Sequence, residues 1–217
     1  MSAIIHRLLL LVICSGFLCS CSTPADGGAG SMPPVRSALL PPNVHGRLVA
    51  RTMTPRYITI HGTENLNSGA DNHARYLFNK GKRSGNRRFG RFGWVTWHFT
   101  VDDREIVQHL RTTEQGDHAD FGKAGDRQSI GIEICEFSDP RRQALAIKNA
   151  AVLAAALANK HQIPTRNIVP HKHWPRWDFK YGKPCPKILL ERDRNIPGGW
   201  YTGSKWKQFI ARIKHCR

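Results

Sequence analysis

The chain has 217 residues, enough for one ordinary domain plus a leader. With 40% hydrophobic and 23% charged residues it falls outside the disordered classes. A formal net charge of +17 favours anionic partners such as nucleic acid, anionic lipid or acidic polymers. No zinc-finger, RNP or helix-turn-helix pattern accompanies the charge, so nucleic acid is not expected as a partner.

The N-terminus reads as a leader. Arg7 supplies a positive n-region, and Leu8 to Leu18 is an apolar stretch too short to span a bilayer comfortably. It ends in Leu18-Cys19-Ser20-Cys21, which resembles a bacterial lipobox; an ordinary signal peptide cut nearby, or an uncleaved anchor, is the alternative. The lipobox reading makes residues 1–20 a lipoprotein signal peptide, with Cys21 as the lipidated residue. Residues 21–43, rich in Gly, Ala, Ser and Pro, then read as a flexible tether. The expected location is the bacterial cell envelope, as a membrane-anchored lipoprotein of the outer membrane facing the periplasm. Export implies an oxidising compartment. Beyond Cys21, the mature chain keeps Cys135, Cys185 and Cys216, an odd number. That suits a metal-bound thiolate at Cys185 and leaves a Cys135–Cys216 disulfide open.

The globular domain is expected over 44–217. Arg56 to His61 alternates as a strand whose polar side carries His61. Asp71 or Asn72 can cap a short helix through Asn79. Gly81 to Gly93 is a basic, glycine-rich loop. Trp94 to Val101 and Glu105 to Leu110 read as a hairpin about Asp102-Asp103. Thr112 to Gln128 is a polar loop containing His118. Ser129 to Cys135 is a strand with Ile130, Ile132 and Ile134 on one face and Gly131, Glu133 and Cys135 on the other. A carboxylate at Glu133 is expected to be partly buried, a position that is costly unless it is paired or used. Ser138-Asp139-Pro140 starts a helix to about Lys160, with Leu145, Val152, Leu153 and Leu157 among alanines packing on a sheet. Ile168-Val169 leads to His171, and Ser204 caps a last helix carrying Trp206, Phe209, Ile210 and Ile213. The alternation of strands and helices predicts a single α/β domain with a central mixed β-sheet flanked by helices.

His171-Lys172-His173-Trp174, then Gly182-Lys183-Pro184-Cys185-Pro186, set two imidazoles and a thiol close together. Two imidazoles and one thiolate form a three-ligand set for zinc that leaves a fourth position open. His61, Thr96 to Asp102, Ser129 to Cys135 and the His171 to Pro186 segment, in that order, resemble the type 2 N-acetylmuramoyl-L-alanine amidases, relatives in fold of the peptidoglycan recognition proteins. The likeness spans Tyr57 to Leu190. It implies cleavage of the amide between N-acetylmuramic acid and L-alanine in peptidoglycan or muropeptides, by a water activated on one Zn2+ ion. By the same resemblance His61, His171 and Cys185 are the zinc ligands, Glu133 the general base and Lys183 the oxyanion-stabilising lysine. Trp97, His118 and His173 are candidate substrate contacts, and His98 a structural histidine. One departure from the family pattern is Pro175 to Tyr181, which reads as partly inserted between the second histidine and the Cys-Pro pair. The alternative is a non-catalytic peptidoglycan-binding module of the same fold.

Overall fold

The computed structural model describes residues 32–42, 47, 50–81 and 93–217. The expected leader and Cys21, and residues 82–92 of the basic loop, lie outside them. Six strands form one sheet: β1 (Val35–Ser37), β2 (Tyr57–Leu66), β3 (Phe99–Val101), β4 (Ile106–Gln108), β5 (Ser129–Glu136) and β6 (Ile168–Pro170). Their spatial order is β1-β4-β3-β5-β2-β6. The β3–β4 hairpin is antiparallel and every other pairing is parallel. Helices α1 (Ala70–Asn79), α2 (Ala124–Gln128), α3 (Pro140–Lys160) and α4 (Ser204–His215) accompany it, and β7 (Glu191–Arg192) pairs with β8 (Trp200–Tyr201) in a small second sheet. This is the mixed α/β architecture expected of the sequence.

The central pair β2–β5 explains the alternating pattern. Ile58 pairs with Ile130 and Ile60 with Ile132, all fully buried, and the same parallel register sets His61 beside Glu133. On the other side of β2, Ile60 pairs with Pro170, so His171 follows directly at the end of β6. Three neighbouring parallel strands therefore deliver His61, Glu133 and His171 to one end of the sheet. Carboxyl ends of parallel strands are where open α/β sheets place their sites.

Helix α3 begins as expected: the Asp139 side chain accepts from the Arg141 and Arg142 amides, with Pro140 in the first turn. Its buried stripe is mostly alanine: Ala146, Ala150, Ala151, Ala154 and Ala158, with Leu153 and Leu157. Leu145, expected on that face, is 45% exposed because it lies one residue off the stripe.

Two other caps differ from expectation for a shared reason. Helix α1 starts at Ala70, and neither Asp71 nor Asn72 caps it. Its Ala70 amide donates instead to Asp102 Oδ2 at 2.9 Å, while Oδ1 accepts from the Arg104 and Glu105 amides. At α4, Ser204 is itself a donor. Its hydroxyl reaches Glu191 Oε1 at 2.6 Å, and the Lys205 amide donates to the same oxygen. The Ser204 hydroxyl, then the Lys205 amide and Tyr201 hydroxyl, hold the Glu191 carboxyl down to about 2. In both helices the orphan amides of the first turn are met by a carboxylate from another element.

Residues 35–37, read within the tether, form edge strand β1 against β4, Val35 opposite Ile106. Leu40 is buried with Leu77, Trp97 and Leu110. A three-residue exposed strand after Pro33-Pro34 carries no periodicity to read. The polar loop 112–128 likewise ends in the short helix α2, and two carboxylates organise it. Buried Asp126 accepts from the amides of His118, Ala119 and Gly122 at 2.8, 2.6 and 2.5 Å. Asp120 accepts from those of Lys123, Gly125 and Asp126. Asp126→Ala orphans three donors at a fully buried position, so it should cost at least about 3 kcal/mol in a denaturant titration. A loss under about 1 kcal/mol would mean that water replaces the carboxylate.

Cys135 and Cys185 are buried, Cys216 is exposed, and all three are free, so the Cys135–Cys216 disulfide is not formed.

Candidate metal centre and catalytic site

His61, His171 and Cys185 are all buried, and one ligand atom from each lies within 4.8 Å of the others. Metal bonds of about 2.0–2.3 Å need ligand atoms on the order of 3–4 Å apart, which small side-chain movements supply. The hydrogen bonds fix which nitrogens are available. His118 Nε2 faces the Ser129 carbonyl at 3.2 Å and must donate to it. His118 Nδ1 is then an acceptor, receiving the His61 Nε2 proton at 3.1 Å. This chain leaves Nδ1 as the lone-pair nitrogen of His61. His171 Nε2 donates to the Ala119 carbonyl at 2.9 Å, and its Nδ1 is buried with no hydrogen-bond partner among the described residues. Burial, then the nearby Lys183 and Arg176 charges, keep the His171 pKa well below the usual histidine value. A neutral imidazole is the form that binds metal.

Cys185 Sγ accepts from the Gly62 amide at 3.3 Å. Burial, and then the Glu133 charge, push its thiol up to about 12. A buried thiol beside two imidazole lone pairs is costly to ionise alone and easily ionised by a cation. The donor set therefore fits a zinc-type ion, with one position left over.

Glu133 Oε1 lies 3.8 Å from His61 Nδ1, beside the ligand cluster. Lys183 is held by a carboxylate the sequence reading did not single out. Its Nζ is 2.6 Å from Glu64 Oε2, and Lys187 Nζ is 2.9 Å from Glu64 Oε1. Burial would lower the Lys183 pKa, but Cys185 and Glu64 outweigh it and the pKa is raised. His61, Val95, Trp97, His118, Glu133, His171, Arg176, Lys183 and Cys185 line one cavity of about 90 Å3.

The other sequence candidates separate. Trp97 touches the cavity, but its indole N–H donates to Thr100 Oγ1 at 2.7 Å within a buried cluster. His118 is 4% exposed and lies behind His61 as its hydrogen-bond partner. His173 is exposed and lines a different hollow, with Lys172, Tyr181 and Trp200. His98 bridges the Gly131 amide and the Glu114 carbonyl, the structural part expected of it. Sequence reasoning missed Glu64, Arg176 and the two loop aspartates. Glu64 meets its lysines from a distant segment, while Arg176 and the aspartates bond within their own irregular loops, where no periodicity advertises them.

Gly131 makes the histidine chain possible, since a Cβ there would lie 2.9 Å from the His118 ring. His118→Ala removes the acceptor that sets the His61 tautomer. It should weaken metal affinity about 10–100-fold without touching a ligand. Competition with a metal-binding dye checks this, and unchanged affinity would make His118 a packing residue only.

Among known proteins, a family model described as N-acetylmuramoyl-L-alanine amidase matches residues 51–188. N-acetylmuramoyl-L-alanine amidase XlyA of Bacillus subtilis (strain 168) is 46% identical over 142 residues, 64% of this chain and 42% of XlyA. N-acetylmuramoyl-L-alanine amidase CwlH of the same strain is 41% identical over 151 residues, 68% of this chain and 53% of CwlH. The chain thus spans about half the length of the curated relatives it matches. The solved catalytic domain of XlyA superposes with a TM-score of 0.63 at 38% identity, covering 82% of this chain and 98% of that domain. A mutant endolysin from Bacillus subtilis gives 0.64 at 38% identity, covering 84% and 99%.

These relatives correct the expected location. They are wall amidases and an endolysin, not membrane-anchored lipoproteins, and they lend no support to a lipid anchor on Cys21. Among the described residues no helix is long and apolar enough to cross a membrane.

Proposed function

The chain belongs to the N-acetylmuramoyl-L-alanine amidase family, and from that premise we propose that it hydrolyses the amide between N-acetylmuramic acid and L-alanine in peptidoglycan or its fragments. The observation that carries the proposal is the convergence of His61, His171 and Cys185 on one buried point with Glu133 beside them. His61 Nδ1, His171 Nδ1 and Cys185 Sγ would hold one zinc ion. Bound there, zinc would lower the pKa of a coordinated water and polarise the scissile carbonyl.

The remaining work falls to the chain's own groups. Glu133 Oε1 takes the proton of the attacking water and returns it to the leaving nitrogen of L-alanine. Lys183, kept charged by Glu64, sets a cation against the carbonyl oxygen as negative charge grows on it. The Gly62 amide supports the Cys185 sulfur, and the His118–Ser129 relay holds the His61 ring.

Purified peptidoglycan incubated with the full-chain protein tests the reading by mass spectrometry. The expected products are stem peptides that begin with free L-alanine, together with uncut glycan strands. Fragments cut between sugars, or binding with no release of peptide at any zinc concentration, would sink it.

A further inference from the structure

The cavity of about 90 Å3 is well below the roughly 300–1,000 Å3 of a pocket that encloses a small-molecule ligand. Most of any wall-derived substrate must lie outside it, on the rim. From the segment 175–181, Arg176 lines the cavity. It is 8% exposed and commits two donors to Asp178, Nε to Oδ1 at 2.8 Å and Nη2 to Oδ2 at 2.5 Å. Its guanidinium lies 4.3 Å above the Phe121 ring and 5.5 Å from that of Phe179. Its Nη1 sits 3.5 Å from His171 Nε2, so this anchor reaches the catalytic cavity itself.

The next residue, Trp177, is 58% exposed. It stacks on Phe121 with ring centroids 5.7 Å apart and planes 28° from parallel. Phe121 has φ of 58°, the left-handed region that a bulky side chain rarely adopts. The amides around it are locked: Ala119 and Gly122 donate to Asp126, and Lys123 donates to Asp120. Strain of this kind persists only where the surroundings over-determine it, and it clusters at functional sites. The result is a rigid aromatic face beside the catalytic centre. The Arg176 cation is already matched by Asp178, so what the Trp177–Phe121 pair itself adds is stacking.

We propose that Trp177 and Phe121 form a subsite that takes the apolar face of an amino-sugar ring of the glycan strand, with Arg176 as its positioning residue. The identity of the substrate rests on the amidase reading above. The pyranose ring is the flat, CH-lined part of that substrate. Stem-peptide carboxylates are drawn to unmatched cations and not to an indole.

Calorimetric titration of the full-chain protein with an N-acetylglucosamine tetrasaccharide, which has the rings and no stem peptide, tests the subsite directly. Trp177→Ala should bind at least about tenfold more weakly than the unaltered protein, and Trp177→Phe should recover most of the difference. No binding by the unaltered protein, or equal affinity in Trp177→Ala, overturns the proposal. In cleavage assays Trp177→Ala should raise KM for glycan strands about tenfold with kcat held. It should leave hydrolysis of a lactyl-peptide lacking the sugar unchanged. Equal losses on both substrates would make the segment merely structural. Should the unaltered protein cleave neither substrate, the amidase reading falls, while the titration still decides the subsite.

Discussion

Glu133→Gln should lower kcat about 10²–10⁴-fold, the usual worth of a positioned general base. The exchange keeps shape and removes only the capacity to take a proton. Glu133 is not in the ligand set, yet its Oε1 stands 3.8 Å from His61 Nδ1, so the lost proton acceptor is beside the metal position and the ligands are undisturbed. Bound zinc and melting temperature should therefore match those of the unaltered protein while turnover collapses. Activity within tenfold of the unaltered protein would make Glu133 a structural carboxylate. Loss of zinc along with activity would make it part of the metal shell.

Stripping the metal should have the other large effect. With free zinc at about 1,000 times Kd, binding to the folded state alone contributes about 4 kcal/mol. For a chain of this size each kcal/mol moves the midpoint by about 2–4 °C, so chelation should lower the melting temperature on the order of 10 °C and abolish cleavage. Zinc should restore both. Cys185→Ala should mimic the chelated protein and resist rescue, because two imidazoles alone do not complete the set. Equal melting curves with and without chelator would argue that His171 Nδ1 and Cys185 are a packed polar cluster and not a metal centre.

Much of this site was legible because the chemistry sits where local pattern is strongest. Ile58 and Ile60 on β2 and Ile130, Ile132 and Ile134 on β5 alternate with a second, polar-bearing face, on which His61 and Glu133 stand out. His171 and Cys185 are separated by a short segment and announce themselves together. What stayed hidden depends on pairings across the chain. Glu64 becomes functional only because Lys183, more than a hundred residues later in the chain, folds onto it. His118 looked like a residue bordering a cleft, and only the Ser129 carbonyl reveals which of its nitrogens accepts. Strand β1 is exposed and three residues long, so it owes its existence to the waiting edge of β4 and not to its own sequence.

The borrowed helix caps bear on how the chain reaches this structure. The first-turn acceptor of α1 is Asp102, beyond β3, and that of α4 is Glu191, in β7. As isolated peptides α1 and α4 would lack those acceptors and, at 10 and 12 residues, would scarcely populate a helix. Helix α3, with Asp139 and Pro140 built into its own start and 21 residues to propagate, needs no such help. Folding should then begin with α3 and the strand it covers, β5, and finish when the termini are clamped late by long-range carboxylates. Substitutions at Asp102 or Glu191 should chiefly speed unfolding, and those on the alanine face of α3 should chiefly slow folding.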